Sequence, residues 1–279
     1  MTRAFKEFIP IPEETGKIMV LEKEFGPMGA QDWGKMARGL ADIIKFTFGT
    51  AALYNEDVIK EKVTVYKNLG ISPMIGGTLT EVAIMNAGGY EGNDFLNYLK
   101  YAKSLGFMYI EFSDGSIYIP EEKRKDIIKI CLNEGFKVIS EVGKKDPKKD
   151  AKITTSKRIE LMQKDLQSGS ELVIIEGRES GKGIGVMNKE GKVQFDELDK
   201  IIENVGLDKV MIEAPDKGQQ QEIFMRYGPR ANVGNIQPRD ILSVGALRTG
   251  LRGDTISALR KNAWENYHAK QKAPEDYDI

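Results

Sequence analysis

Cysteine and histidine are almost absent. The 279 residues include one of each, Cys131 and His268, which excludes an intramolecular disulfide and leaves too few ligands for an ordinary zinc site. Neither sign of charge is in excess: 41 Lys and Arg stand against 42 Asp and Glu, for a net charge of -1. No overall field therefore draws the chain to nucleic acid or anionic lipid, and an anionic ligand has to be held by a local cluster. No run approaches the roughly 20 apolar residues of a membrane span. Met1 to Gly16 carry prolines and charges where a signal peptide needs an apolar stretch. The expectation is a cytoplasmic protein with no membrane or nucleic-acid partner. At 41% hydrophobic and 30% charged residues, the chain can bury a large core beneath a soluble surface.

Eight short apolar runs recur, each bounded by Gly, Pro or charge and followed by a segment with helical spacing. They are Lys17 to Leu21, Ile43 to Phe48, Ile71 to Ile75, Phe107 to Phe112, Lys137 to Val142, Glu171 to Ile175, Lys209 to Ile212 and Asn232 to Ile236. Helices are predicted over Trp33 to Asp42, Asn55 to Leu69, Asn93 to Leu105, Glu121 to Glu134, Thr155 to Ser168, Phe195 to Val205, Gln219 to Tyr227 and Arg239 to Thr249. Glycines 70, 106 and 135 stand where helices would terminate. Eight strand–helix units over one chain predict an α/β fold, a (βα)8 TIM-type barrel, with a doubly wound open sheet as the alternative. The barrel is expected over residues 1–255. Residues 256–279 then form a C-terminal helical extension, with Ile256, Leu259, Ala263 and Tyr267 at helical spacing, packing on the barrel or on a neighbouring subunit of a homo-oligomer. Cys131, on the apolar face of a predicted helix, reads as a packed small residue. His268, beside Tyr267, reads as a surface or packing residue.

Four consecutive strands end in glutamate: Glu111, Glu141, Glu176 and Glu213. In a parallel barrel these carboxylates converge at the carboxyl face, where catalytic groups gather, and they repel one another unless cations lie between them. An all-oxygen set suits Mg²⁺, so Glu111, Glu176 and Glu213 are metal candidates. Basic residues follow the same strands: Lys45, Lys144, Lys145 and Arg178. Arg248 and Arg252, in Leu247-Arg248-Thr249-Gly250-Leu251-Arg252-Gly253-Asp254, fall where such barrels often hold phosphate. A phosphorylated substrate fits this pattern. Glu179-Ser180-Gly181-Lys182-Gly183-Ile184-Gly185 lacks P-loop spacing and reads as a flexible active-site loop.

At these residues the chain resembles the phosphosulfolactate synthase family, (βα)8 barrels that add sulfite to phosphoenolpyruvate in coenzyme M and sulfolactate biosynthesis. The resemblance runs from about Lys17 to Thr255. It is carried by Lys45-Phe46-Thr47-Phe48-Gly49-Thr50, Gly76-Gly77-Thr78-Leu79, Ser113-Asp114-Gly115, Ser140-Glu141-Val142-Gly143-Lys144-Lys145, Ile175-Glu176-Gly177-Arg178, Glu213-Ala214-Pro215 and Gly250-Leu251-Arg252-Gly253-Asp254. It implies a Mg²⁺-dependent lyase with Lys145 as general acid, made acidic by neighbouring cations. Glu141 and Arg178 are then further catalytic candidates, with Lys45, Lys144, Arg248, Arg252, Asn235 and Ser113 holding the anionic substrates. The family usually has Gly-Trp where this chain has Thr47-Phe48, and Leu-Glu-Thr where it has Val244-Gly245-Ala246. Two alternatives follow: a related barrel lyase with another nucleophile or enol acid, and a noncatalytic relative like the plant heat-stress-associated proteins.

Overall fold

A computed structural model describes residues 4–271 except Lys6. Its strands are β1 (Ile18–Glu22), β2 (Ile43–Phe46), β3 (Ser72–Ile75), β4 (Tyr109–Phe112), β5 (Lys137–Val142), β6 (Leu172–Ile175), β7 (Val210–Glu213) and β8 (Asn232–Ile236). They pair in parallel in chain order, and β8 returns to β1 to close a barrel. The open sheet is excluded. Sequences such as Leu-Val-Ile-Ile in β6 are buried throughout, because a parallel barrel covers one face with its own interior and the other with helices.

Around the barrel lie α1 (Pro27–Ala37), α2 (Glu56–Asn68), α3 (Gly77–Asn86), α4 (Asn93–Ser104), α5 (Glu121–Asn133), α6 (Pro147–Asp150), α7 (Thr155–Ser168), α8 (Phe195–Val205), α9 (Lys217–Tyr227), α10 (Ile241–Arg248), α11 (Gly253–Leu259) and α12 (Lys261–Gln271). Glycines 70, 106 and 135 have φ of 79°, 96° and 82°, the left-handed geometry that ends a helix.

The first helix departs from the expected Trp33 to Asp42. Pro27 takes its first turn, where the locked φ suits a helix, and by Asp42 the backbone has already joined the barrel, donating to Ile18 O at 3.0 Å. Helix α3 was not expected. The predicted C-terminal helix is two, divided at Arg260 (φ -121°, ψ 31°). Thr255 and Leu259 of α11 pack on the barrel layer. No residue of α12 is buried, and Tyr267 is 61% exposed; the last expected residues, 272–279, lie outside those described.

Two apolar layers hold the barrel. Phe46, Tyr66 and Phe107 meet edge to face between strands and helices, with Phe46–Phe107 centroids 5.2 Å apart. Inside, Met19, Ile43, Met74, Tyr109, Ile139, Leu172, Ile174 and Met211 fill the lower barrel, each contributing about 2 kcal/mol on burial. That plug makes the barrel's other end the polar one. Among the described residues no helix is long and apolar enough to cross a membrane.

Candidate active site

Side chains alternate along a strand, so Ile43 and Lys45, Tyr109 and Glu111, Ile139 and Glu141, and Met211 and Glu213 enter the barrel in pairs. The first of each pair joins the apolar plug. The second stands above it at the carboxyl end. Glu176, one residue past β6, completes the layer. All five charged groups are buried: Lys45 is 5% exposed, and Glu141 and Glu176 are 0%. A fifth strand-end glutamate, Glu22, is instead paired with Lys62 of α2, outside the ring.

The layer is cross-linked by two ammonium groups. Lys45 Nζ lies 2.9 Å from Glu111 Oε2 and 3.0 Å from Glu213 Oε1. Lys145 Nζ lies 3.0 Å from Glu141 Oε1 and also pairs with Glu176. Backbone amides take further lone pairs. Gly77 donates to Glu111 Oε1 (2.9 Å), Gly177 to Glu213 Oε2 (2.9 Å), and Arg178 to Glu176 Oε1 (2.7 Å). Gly77 has no side chain because none fits: a Cβ would lie 2.7 Å from Glu111 Oε1 and 2.3 Å from Ser113 Oγ. Arg178 accepts a left-handed φ of 56° to make its contacts, the kind of strain that gathers at functional sites.

Burial sets the protonation states, with the neighbouring charges deciding between groups. For Glu176, burial and the Glu141 and Glu213 carboxylates push the carboxyl up to about 9. Burial also opposes ionisation of Glu141, but the Lys145 and Lys45 ammonium groups outweigh it and hold that carboxyl below its usual range. Burial works against the Lys145 ammonium; Glu141 and Glu176 overcome this and raise it above the ordinary lysine value. This corrects the expectation of a lysine made acidic by nearby cations, since its immediate partners are carboxyl groups, with Glu141 held as the anion.

Among the described residues, the carboxylates able to share one metal ion are Glu141, Glu176 and Glu213, whose oxygens lie within 4.8 Å of one another. Glu141 Oε2 is buried with no hydrogen-bond partner. A hard, oxygen-seeking dication such as Mg²⁺ fits this donor set. Glu141 thus joins the metal candidates. Glu111 is not among the three whose oxygens converge; its own oxygens accept from Lys45 and the Gly77 amide.

Above the layer opens a cavity of about 620 Å³, lined in part by Lys45, Lys145, Arg178 and Asn235. Asn235 has φ 57° and is 4% exposed. Its Nδ2 donates to Arg178 O at 3.3 Å while Oδ1 has no partner. Arg178 also donates to Lys145 O at 3.2 Å. Thr47 and Phe48 form part of the wall, so that departure from the family pattern touches the site.

Other candidates lie elsewhere. Lys144 Nζ is held by Asp114, 2.5 Å from its carboxylate, and the hydroxyl of Ser113 by Glu81 at 2.5 Å. Arg248 ends α10, and barrel helices run back against the strands; its guanidinium accordingly meets Gly16 O at 2.9 Å, before β1, at the amino end of the barrel. Arg252 pairs with Asp254 (2.5 Å) and Ser243 (3.0 Å) in the helix layer. Neither arginine lines the cavity, which corrects their reading as phosphate ligands. Gly245 abuts Leu40 in an outer apolar groove, so its departure does not touch the site.

The glycine-rich loop after β6 places Glu179 and Ser180 in the cavity wall and is hydrogen-bonded to its surroundings. Gln219 donates to Gly181 O (2.7 Å) and Gly191 O (2.8 Å), and Asp150 accepts from the Gly185 amide (2.9 Å). Cys131 is fully buried, its thiol pushed up to about 12 by burial, and is inert. Glu81 and Ser116 escaped the sequence reading. The available signal for Glu81 was a charge set among Leu79, Val82, Ala83 and Ile84.

Residues 7–254 match the family model described as (2R)-phospho-3-sulfolactate synthase. The chain is 44% identical over 250 residues to phosphosulfolactate synthase of Methanocaldococcus jannaschii, covering 90% of this chain and 97% of that one. It is 39% identical over 245 residues to the enzyme of the same name from Methanothermobacter thermautotrophicus, covering 88% and 93%. Among solved structures it is similar to 3-keto-L-gulonate-6-phosphate decarboxylase from Vibrio cholerae, with TM-score 0.54, 12% identity and coverage of 90% and 98%; at that identity the likeness is one of fold. Matched over nearly its whole length, with the strand-end residues that first suggested the resemblance gathered at one end of a closed barrel, the chain belongs to the phosphosulfolactate synthase family.

Proposed function

We propose that this chain is a cytoplasmic, Mg²⁺-dependent lyase that adds sulfite to phosphoenolpyruvate, giving (2R)-phospho-3-sulfolactate. The observation that carries the reading is a charge imbalance beneath the cavity. Once a metal displaces the Glu176 proton, four buried carboxylates, Glu111, Glu141, Glu176 and Glu213, face two ammonium groups, a deficit of two positive charges that one dication supplies. Held by Glu141, Glu176 and Glu213, Mg²⁺ would stabilise negative charge growing on the substrate carboxylate.

The residues of the chain do the rest. Arg178, at the cavity wall, offers a guanidinium to the substrate anions. Sulfite brings its sulfur lone pair to the methylene carbon of phosphoenolpyruvate, forming the C–S bond. The π electrons move toward the carbon bearing phosphate and into the carboxylate, and the C–O–P linkage is kept. Lys145 Nζ, protonated because Glu141 and Glu176 favour its charge, then gives its proton to that carbon. Lys45, locked between Glu111 and Glu213, orients the carboxylates and keeps the floor of the cavity from repelling a substrate of like charge.

The presence of Thr47 and Phe48 in the cavity wall favours a second reading, the same chemistry with another nucleophile or phosphorylated enol acid. Ultraviolet absorbance of the enol double bond separates the two. Its loss on adding sulfite and Mg²⁺ supports the first; loss only with another nucleophile supports the second.

A further inference from the structure

Glu81 lies on α3, 1% exposed, and plays no part in the reaction described above. Its carboxylate is met by four donors, none of them a cationic side chain. Ser113 Oγ approaches at 2.5 Å, and the amides of Gly115, Ser116 and Ile117 at 3.0, 2.8 and 3.2 Å. Three successive amides aimed at one carboxylate hold the turn after β4 in a single shape, since each charge-assisted bond is stronger than a neutral one. The turn then leads to the site. Gly115 O accepts the Lys145 amide at 3.1 Å, and the aliphatic stem of Lys145 lies against Gly115, where a Cβ would stand 3.1 Å from Cγ and 3.2 Å from Cε. Ser116 continues into the cavity wall.

We propose that Glu81 is the positioning residue for Lys145: by clamping residues 113–117 it fixes the surface that backs the Lys145 stem, and so aims the ammonium into the cavity. For its effect on turnover the inference rests on Lys145 as proton donor. Its structural half does not.

Two variants disturb the arrangement from opposite sides. Glu81→Gln is isosteric but turns an NH₂ toward donors that need an acceptor. Gly115→Ala leaves the carboxylate intact and presses a methyl group on the Lys145 stem. Hydrogen exchange read by mass spectrometry should show faster exchange at the amides of 115–117 and 145 in Glu81→Gln, with β5 amides 138–142 unchanged. Kinetics should show kcat lowered about 10- to 100-fold in both variants, as expected for a donor displaced by about 1 Å, with KM for phosphoenolpyruvate within about threefold of wild type.

Unchanged kcat in folded Gly115→Ala would overturn the inference. So would Glu81→Gln exchange that rises uniformly over the barrel, or kcat and KM altered together. Should Glu81→Gln not fold, Gly115→Ala decides. If wild type fails to turn over sulfite and phosphoenolpyruvate, the proposed reaction fails, and hydrogen exchange alone judges the clamp.

Discussion

Replacing Lys45 by Met tests whether the charged layer is a mutually dependent unit. The substitution keeps an unbranched side chain of similar length and removes only the ammonium that Glu111 and Glu213 share at 2.9 and 3.0 Å. Both carboxylates are nearly inaccessible, at 3% and 2% exposure, so water from the cavity replaces the lost partner only in part. Breaking a buried ion pair from one side costs about 3–5 kcal/mol, and here two acceptors are orphaned, so the upper part of that range is expected for metal-free protein at neutral pH. Burial already pushes the Glu111 carboxyl up, with Lys45 opposing and Glu141 and Glu213 adding to the rise. Without Lys45, Glu111 should take up a proton and part of the loss should be recovered as pH falls. Urea unfolding of wild type, Lys45→Met, Glu111→Gln and the double variant measures this as a cycle. The double variant should be more stable than Lys45→Met alone. A loss below about 1 kcal/mol, in the range of exposed pairs, or strict additivity in the cycle, would refute the reasoning.

Two further predictions concern the reacting groups. Lys145→Ala should abolish turnover while circular dichroism and gel filtration stay those of the wild type; near-normal activity would remove Lys145 from the mechanism. Because Glu176 holds a proton up to about pH 9 and a metal must displace it, apparent Mg²⁺ affinity should rise by up to about tenfold per pH unit from neutrality toward that value. The rise should flatten above it. Calorimetry in buffers of differing ionisation enthalpy should find about one proton released per metal bound near neutrality; a flat pH response with no proton release would contradict the assignment, and Glu176→Gln should lose the dependence.

The barrel was legible because its strands are short apolar runs separated by amphipathic segments, a rhythm that local sequence carries directly. The ring of glutamates was legible for the same reason, since a charge closing such a run has one place to go. What each glutamate faces was not. The pairing of Lys45 with Glu111 and Glu213, and of Lys145 with Glu141 and Glu176, depends on barrel closure between strands far apart in sequence. Arg248 and Arg252 stand late in the chain, where such barrels often hold phosphate, but α10 carries them away from the strand ends. Helix α3 was passed over because its Gly77-Thr-Leu-Thr start lacks an ordinary side-chain cap, and Glu81 went with it. Gly77 answers to the close approach of Glu111 and Ser113, a constraint from another strand.

The central claim is the joining of sulfite to phosphoenolpyruvate with the phosphate retained, and phosphorus NMR tests it most directly. Purified protein with phosphoenolpyruvate, sulfite and Mg²⁺ should convert the enol-phosphate signal into a new phosphate-ester signal, which should fail to appear without sulfite or with EDTA. Release of inorganic phosphate, or an unchanged enol-phosphate signal from folded protein with all components present, would contradict the account.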